Sequence, residues 1–289
     1  MSEMASKVFN WVNTRLPIVN TFERHLSKHP VPKKVNFWYL FGALASVVLI
    51  IQIVTGIWLI MPYSNTEEGA FASIEYIMRD VDYGWVIRYM HTTGASMFFA
   101  VVYMHMFRGL LYGSYQKPRE LVWIFGCTIY LVMMAEGFLG YVLPYGQMSY
   151  WGAQVIISLF GAIPYIGESL ELWVRGDYYI SGITVSRFFA LHVVALPLVL
   201  IALVFLHLVA LHEVGAGNPE GVDIEKHVDD DGVPLDSIPF FPYKVLNALV
   251  AIGVFMTVFS IIMFFFPEGG GYFIEMANFQ EANPLVTPD

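Results

Sequence analysis

The chain has 289 residues, of which 57% are hydrophobic and 13% charged, and its mean hydropathy is +0.59. Such a composition excludes an ordinary soluble domain and indicates an integral membrane protein. The formal net charge of −9 comes largely from loops such as EGVDIEKHVDDDG at 220–232, a solvated acidic run that argues against nucleic acid as a partner.

Residues 5–29 mix apolar Val8, Phe9, Trp11, Val12, Leu16, Ile18 and Phe22 with cations, which suits an amphipathic helix lying on a membrane surface, interrupted by Pro17. Five apolar segments follow, at about 37–62, 86–112, 120–143, 183–211 and 244–266. Each is long enough to cross a hydrocarbon core, which takes roughly 20 residues as a helix. The first exceeds a signal-peptide core and has no small-residue cleavage site behind it, so it is expected to stay in the mature protein.

Lys7, Arg15, Arg24, Lys28, Lys33 and Lys34 precede the first segment, whereas the loop after it offers only Arg79. The positive-inside rule therefore puts the N-terminus in the cytoplasm, and Lys117 and Arg119 between the second and third segments agree with that orientation. Cys127, the single cysteine, lies inside the third segment and reads as a small packed side chain. The connection 144–182 then lies outside, and its length and helical patterns suggest a functional loop.

The expected fold is all-α, a polytopic helix bundle divided into a cytoplasmic N-terminal segment 1–36, a four-helix core 37–212, and 213–289. The last region comprises a cytoplasmic loop, the fifth transmembrane helix and the start of a periplasmic loop.

Ionisable groups inside membrane helices are costly and usually functional. His91 and His105 are fourteen residues apart on the second segment, and His192 and His207 fifteen apart on the fourth. Fourteen residues of α-helix rise roughly 21 Å and return to within roughly 40° of the starting face. Both segments run inward, so His91 comes level with His192 and His105 with His207. No single metal can use histidines at both levels, and within the five apolar segments no Glu-x-x-His or His-x-x-x-His pair is present to build a compact di-metal site. A bis-histidine haem at each level fits the pattern.

Gly42 and Gly56 on the first segment, and Gly126 and Gly140 on the third, repeat the fourteen-residue interval. Glycine lets a porphyrin edge approach the backbone, although small residues also serve helix packing. Pro197 lies between the two histidines of the fourth segment, where a local distortion can absorb the extra residue. Arg88 and Arg108 lie one turn beyond the two histidines of the second segment; they are candidate partners of haem propionates or snorkel to the headgroups. His25 and His29 belong to the surface segment and His227 to the acidic loop, whereas His212 lies near the level of the inner pair.

RDVDYGWVIRYMHTTGASMFFAVVYMHMFRGLLYGSY, GYVLPYGQMSYWGAQVI, IPYIG, RFFALH and LHEVGAGNPEG together resemble cytochrome b of the cytochrome bc complexes, over about residues 30–289. The resemblance implies a quinol:cytochrome c oxidoreductase with two non-covalent b-type haems, the low-potential one on His91 and His192 and the high-potential one on His105 and His207. It implies quinol oxidation on the outer side, with one electron passing to a Rieske iron-sulfur protein, and quinone reduction on the inner side, with ubiquinol and ubiquinone as substrates. Met134, Phe138, Tyr141, Gly152 and Ile156 match the outer quinol pocket, and His212 an inner quinone-site residue, with Lys244 a further candidate there. A cytochrome c1-type subunit, a second copy of the complex, membrane lipid and a bacterial inner membrane are the implied surroundings.

The sequence departs from that pattern in places. It stops at ANPLVTPD, where the family continues into a Pro-Glu-Trp-Tyr-like motif and further helices, so the remainder is expected on a longer or separate chain. Tyr145 replaces a familiar tryptophan, PFFPYKVLNAL lacks a usual aspartate, and Ala43 and Ala216 replace frequent polar residues. Glu136 is an added ionisable group near Tyr141, and a carboxylate beside a quinol pocket is a candidate proton acceptor. A di-haem anchor of another quinone-linked dehydrogenase or reductase, and a transporter whose buried histidines relay protons, are the competing readings.

Overall fold

The computed structural model describes residues 3–17, 19, 23, 27–221 and 226–288. Arg24 and His25 of the expected surface segment, and residues 222–225 of the acidic loop, lie outside the described residues. The first helix, α1 (Glu3–Arg15), buries none of its side chains and ends before Pro17. This agrees with a surface helix.

Among the described residues, five helices are long and apolar enough to cross a membrane: Phe37–Ile60, Gly84–Leu111, Glu120–Val142, Gly182–Val214 and Phe240–Phe265. They coincide with the five apolar segments of the sequence to within a few residues. Their outer surfaces carry exposed Ile50, Val54, Leu131, Leu198, Phe205, Val250 and Phe265. Apolar residues all round such helices are what a hydrocarbon surrounding selects.

The first span is a 3₁₀ turn Phe37–Leu40 leading into α2 (Phe41–Ile60), with the Asn36 side chain accepting from the Trp38 N–H at the start. A short helix α3 (Glu67–Arg79), capped by the Thr66 hydroxyl accepting from the Gly69 N–H at 3.1 Å, leads to α4 (Gly84–Leu111). After α5 (Glu120–Val142), the long loop contains α6 (Gln147–Ser158) and α7 (Gly167–Arg175), as its patterning suggested. The fourth span, α8 (Gly182–Val214), starts at a capping box between Ser181 and Thr184 and stops at Gly215, φ 70°. The last span is a π-type turn Phe240–Lys244 followed by α9 (Val245–Phe265).

The distortion expected near Pro197 is a π-helical turn at Leu191–Ala195, where the Leu196 N–H donates to the Leu191 carbonyl five residues back. One residue more than an α-turn is thereby absorbed between His192 and His207. A small departure from the all-α expectation occurs at one end: β1 (Pro30–Pro32) pairs antiparallel with β2 (Ser237–Pro239). Proline cannot continue a helix, and two proline-bounded extended segments satisfy each other's backbone instead.

In the bundle α2 lies along α4 and α5 along α8, the two most extensive helix pairs, while α9 packs on α4 and α2. One buried cluster joins Leu44, Val48, Phe98, Val101, Met133, Phe255 and Phe259 at the middle. A second joins Leu139, Val142, Tyr150, Ile157, Val185 and Phe188 at the end that carries His91 and His192, called here the outer end. That end is cross-tied: the Tyr63 hydroxyl donates to the Leu143 carbonyl at 2.7 Å, and Tyr145, in the place of the expected tryptophan, is buried and donates to the Ile180 carbonyl at 3.1 Å.

The segment after α9 folds back over the same end. Asn278 Oδ1 accepts from the Ser149 N–H at 2.9 Å, the Asn283 N–H donates to Gln147 Oε1 at 2.7 Å, and the Trp151 indole donates to the Val286 carbonyl at 3.1 Å.

Candidate functional site

The four histidines meet in two pairs between α4 and α8. The ring centroids of His91 and His192 are 6.2 Å apart and those of His105 and His207 6.3 Å apart. Two imidazoles bound through Nε2 to one metal at about 2 Å, each with its centre about 1.2 Å behind that nitrogen, stand about 6.4 Å apart. The spacing at both levels fits a single metal atom held from two sides. Among the described residues no group of three or more His, Cys, Asp or Glu comes together, so the donor set at each level is two neutral nitrogens. That set suits a haem iron, whose macrocycle fills the equatorial positions.

Each ring is backed by one of the four glycines. A Cβ placed on Gly56 would come 3.3 Å from His91 Cε1, on Gly42 3.1 Å from His105 Cε1, on Gly126 3.4 Å from His207 Cε1, and on Gly140 2.4 Å from His192 Cε1. The shared interval in the sequence thus has a physical cause: glycine on α2 or α5 clears room for an imidazole on the helix beside it.

At the outer level both rings are oriented by partners. The Thr55 hydroxyl donates to the Ile51 carbonyl at 2.6 Å, leaving its oxygen to accept from His91 Nδ1–H at 2.9 Å. His192 Nδ1 faces two acceptors, the Glu136 backbone carbonyl at 3.0 Å and Glu136 Oε1 at 3.0 Å. Nδ1 therefore carries the proton in both rings, and Nε2 keeps the lone pair that a metal needs. At the inner level His105 Nδ1 is buried without a hydrogen-bond partner, and His207 Nδ1 has no side-chain partner among the described residues.

A cavity of about 300 Å³ surrounds the outer pair, lined by Arg88, His91, Glu136, Gly137, Gly140, Tyr141 and His192, and closed by Phe273, Ile274 and Asn278 from the returning segment. Arg88 thus faces the outer pair, as its place one turn from His91 suggested. Arg108 lies with its guanidinium 4.5 Å over the Tyr39 ring, donates to Ser114 Oγ at 3.4 Å, and leaves Nε buried and unpartnered.

Of the five residues matched to an outer quinol pocket, only Tyr141 lines this cavity, and its hydroxyl donates to the Glu275 carboxylate. Met134 and Ile156 are exposed, Phe138 packs edge-on against Phe188 at 5.7 Å, and Gly152 faces open space. Glu136, expected near Tyr141, turns its carboxylate onto His192.

At the inner end His212 Nδ1–H donates to the Leu208 carbonyl at 2.8 Å, and its ring lies 4.8 Å from that of His29, a residue the sequence pattern gave no role. Lys244 is buried and donates to the Val35 carbonyl at 3.1 Å. Thr55, His29 and Glu275 had no sequence signal of their own, since their partners lie on other elements.

Comparison with known proteins gives a concordant assignment. Residues 26–215 match the cytochrome b/b6/petB family. The chain belongs to the cytochrome b family. A cytochrome b of Allochromatium vinosum is 56% identical over all of this chain and 70% of its own length. A cytochrome b/c1 of Bradyrhizobium diazoefficiens is 44% identical over 98% of this chain and 40% of its own length. A solved chain described as hyperthermophilic respiratory Complex III superposes with a TM-score of 0.87 at 37% identity, over 97% of this chain and 72% of that one. Membership implies a multi-pass, electron-carrying membrane subunit that binds b-type haem.

Proposed function

We propose that this cytochrome b conducts electrons across the membrane through two b haems within a quinol:cytochrome c oxidoreductase, oxidising quinol at the outer end and reducing quinone at the inner end. The observation that carries the reading is the two imidazole pairs at 6.2 and 6.3 Å, each ring backed by its own glycine. His91 and His192 would hold the outer haem through their imidazoles, and His105 and His207 the inner one. When bound, each haem accepts and passes on one electron. Gly42, Gly56, Gly126 and Gly140 keep the ring space clear, and Thr55 and Glu136 hold the outer imidazoles in the Nε2-ligating tautomer. Arg88, which faces the outer cavity, and Arg108, whose Nε is unpartnered, are suited to haem propionates.

Tyr141, with Met134, Phe138, Gly152 and Ile156, borders the outer quinol site, and His212 with Lys244 serves the inner quinone site. Releasing quinol protons outside and taking up protons for quinone inside couples the electron path to proton translocation. A cytochrome c1-type subunit and a Rieske iron-sulfur protein are the partners, a reading supported by the likeness to a Complex III chain and a cytochrome b/c1; a second copy of the complex completes a homodimer. The bacterial inner membrane, a cytoplasmic N-terminus and the division 1–36, 37–212 and 213–289 complete the reading.

Four single variants of the assembled complex test it: His91→Leu, His192→Leu, His105→Leu and His207→Leu. Each is expected to lose one of two b-type signals in reduced-minus-oxidised spectra, the first two variants losing one haem and the last two the other. Retention of both signals by any of them would remove that histidine from the ligand set.

A further inference from the structure

The two histidine pairs share their helices, their spacing and one flanking arginine each, yet differ in what holds Nδ1. At the outer level the His192 imidazole lies against a carboxylate, Glu136 Oε1, at 3.0 Å, as well as the Glu136 carbonyl. No acidic side chain is bonded to His105 or His207 among the described residues. Among the described residues the second carboxylate oxygen, Glu136 Oε2, is buried without a hydrogen-bond partner, and no Lys or Arg is paired with the carboxylate, so its contact is with the ring it touches.

We propose that Glu136 is a positioning residue that sets the outer haem at a lower reduction potential than the inner one, through the carboxylate it places 3.0 Å from His192 Nδ1. This rests on the axial assignment of His192 made above. A carboxylate lying against the far nitrogen of a metal-bound imidazole, whose N–H is held by a backbone carbonyl, raises the basicity of the ring and makes it a stronger donor. A stronger donor stabilises the oxidised iron, and hydrogen bonding to a ligand is one of the levers by which a protein sets a haem potential. The negative charge acts in the same direction, because the oxidised iron carries one more positive charge. Arg88 opposes the effect at the outer level, but Arg108 stands in the same relation to the inner pair. The cations therefore do not distinguish the levels; the carboxylate does. The contact gives Glu136 a task different from the proton acceptor expected from its place near Tyr141, whose hydroxyl is taken by Glu275.

The test is a potentiometric titration of the assembled complex in membranes, following both b haems optically and the outer haem by its low-temperature electron paramagnetic resonance spectrum. Glu136→Gln keeps an acceptor but removes the charge, and Glu136→Leu removes both. The outer haem is expected to become easier to reduce in Glu136→Gln by about tenfold in its reduction equilibrium, or about 59 mV for a one-electron couple. Glu136→Leu should shift it further, and the inner haem should hold its potential in both.

An unchanged outer potential in both variants, or equal shifts of both haems, would overturn the proposal. Loss of the outer haem from both would overturn it too, since a residue that only tunes leaves the ligand in place. His192→Leu separates this from the axial reading: if the outer haem survives that change, the ligand assignment fails, whatever Glu136 does.

Discussion

Replacing Gly140 by alanine sets the geometry of the outer site its hardest test. The added methyl would lie 2.4 Å from His192 Cε1, 2.9 Å from Nε2 and 3.0 Å from Nδ1, whereas carbon atoms in contact settle at about 3.5–4.0 Å. The ring cannot swing aside freely, because Nδ1–H donates to the Glu136 carbonyl, the Glu136 carboxylate lies 3.0 Å from the same nitrogen, and Nε2 is the proposed ligand atom. Overpacking of this kind costs about 1–3 kcal/mol, and the hydrogen bond to the Glu136 carbonyl that it would break about 0.5–1.5 kcal/mol. The better helix propensity of alanine returns only about 1 kcal/mol. The net loss of roughly 0.5–3.5 kcal/mol corresponds to roughly 2- to 300-fold weaker retention of the outer haem. At Gly126 the same methyl meets His207 Cε1 at 3.4 Å, an ordinary contact, so Gly126→Ala should hold its haem. Haemochrome content and reduced-minus-oxidised spectra of membranes carrying each variant give the comparison. Equal haem loss from the two variants, or the inner haem lost and the outer kept, would refute the reasoning.

Burial pushes the phenols of Tyr63 and Tyr145 well above their ordinary range, with Glu67 adding to the effect at Tyr145. The folded chain keeps protons that the unfolded chain releases, so stability should fall as pH rises past about 10, and thermal unfolding of Tyr63→Phe should be less alkali-sensitive than the parent. An identical pH profile for the two would count against this. Tyr141→Phe removes the hydroxyl donated to Glu275 and should loosen the returning segment by about 1 kcal/mol, or roughly fivefold faster amide exchange over residues 273–279. Unchanged exchange would mean the other ties of that segment suffice. Lys244→Met removes a buried ammonium with one hydrogen bond and should leave both haem bands intact with stability within about 1 kcal/mol, while slowing inner-haem reoxidation by quinone several-fold. An unaltered rate would take Lys244 out of the inner site.

The spans were legible because a helix in hydrocarbon is apolar on every face, so length and composition alone find it. The histidine and glycine positions were legible for another reason: a fourteen-residue interval returns each helix to nearly the same face at a second depth, and the repeat survives in the sequence. The extra residue between His192 and His207 pointed to a distortion, but Pro197 could not fix its register. The π turn lies just before the proline and includes His192 itself, so the distortion adjusts the very ring that the helix presents.

What pattern could not reveal are ties between residues far apart in the chain. Thr55 is an unremarkable apolar-helix threonine until α2 and α4 pack, and Glu136 looks like a quinol-side carboxylate until α8 brings His192 to it. The short sheet depends on Val31 meeting Ile238, and the outer cavity is closed by Phe273 and Ile274 from beyond the last span. The consequence is a division of labour between repeat and exception. Residues that recur at both levels place two alike imidazole pairs, and those without a counterpart, Thr55 and Glu136, are the ones available to make the levels differ.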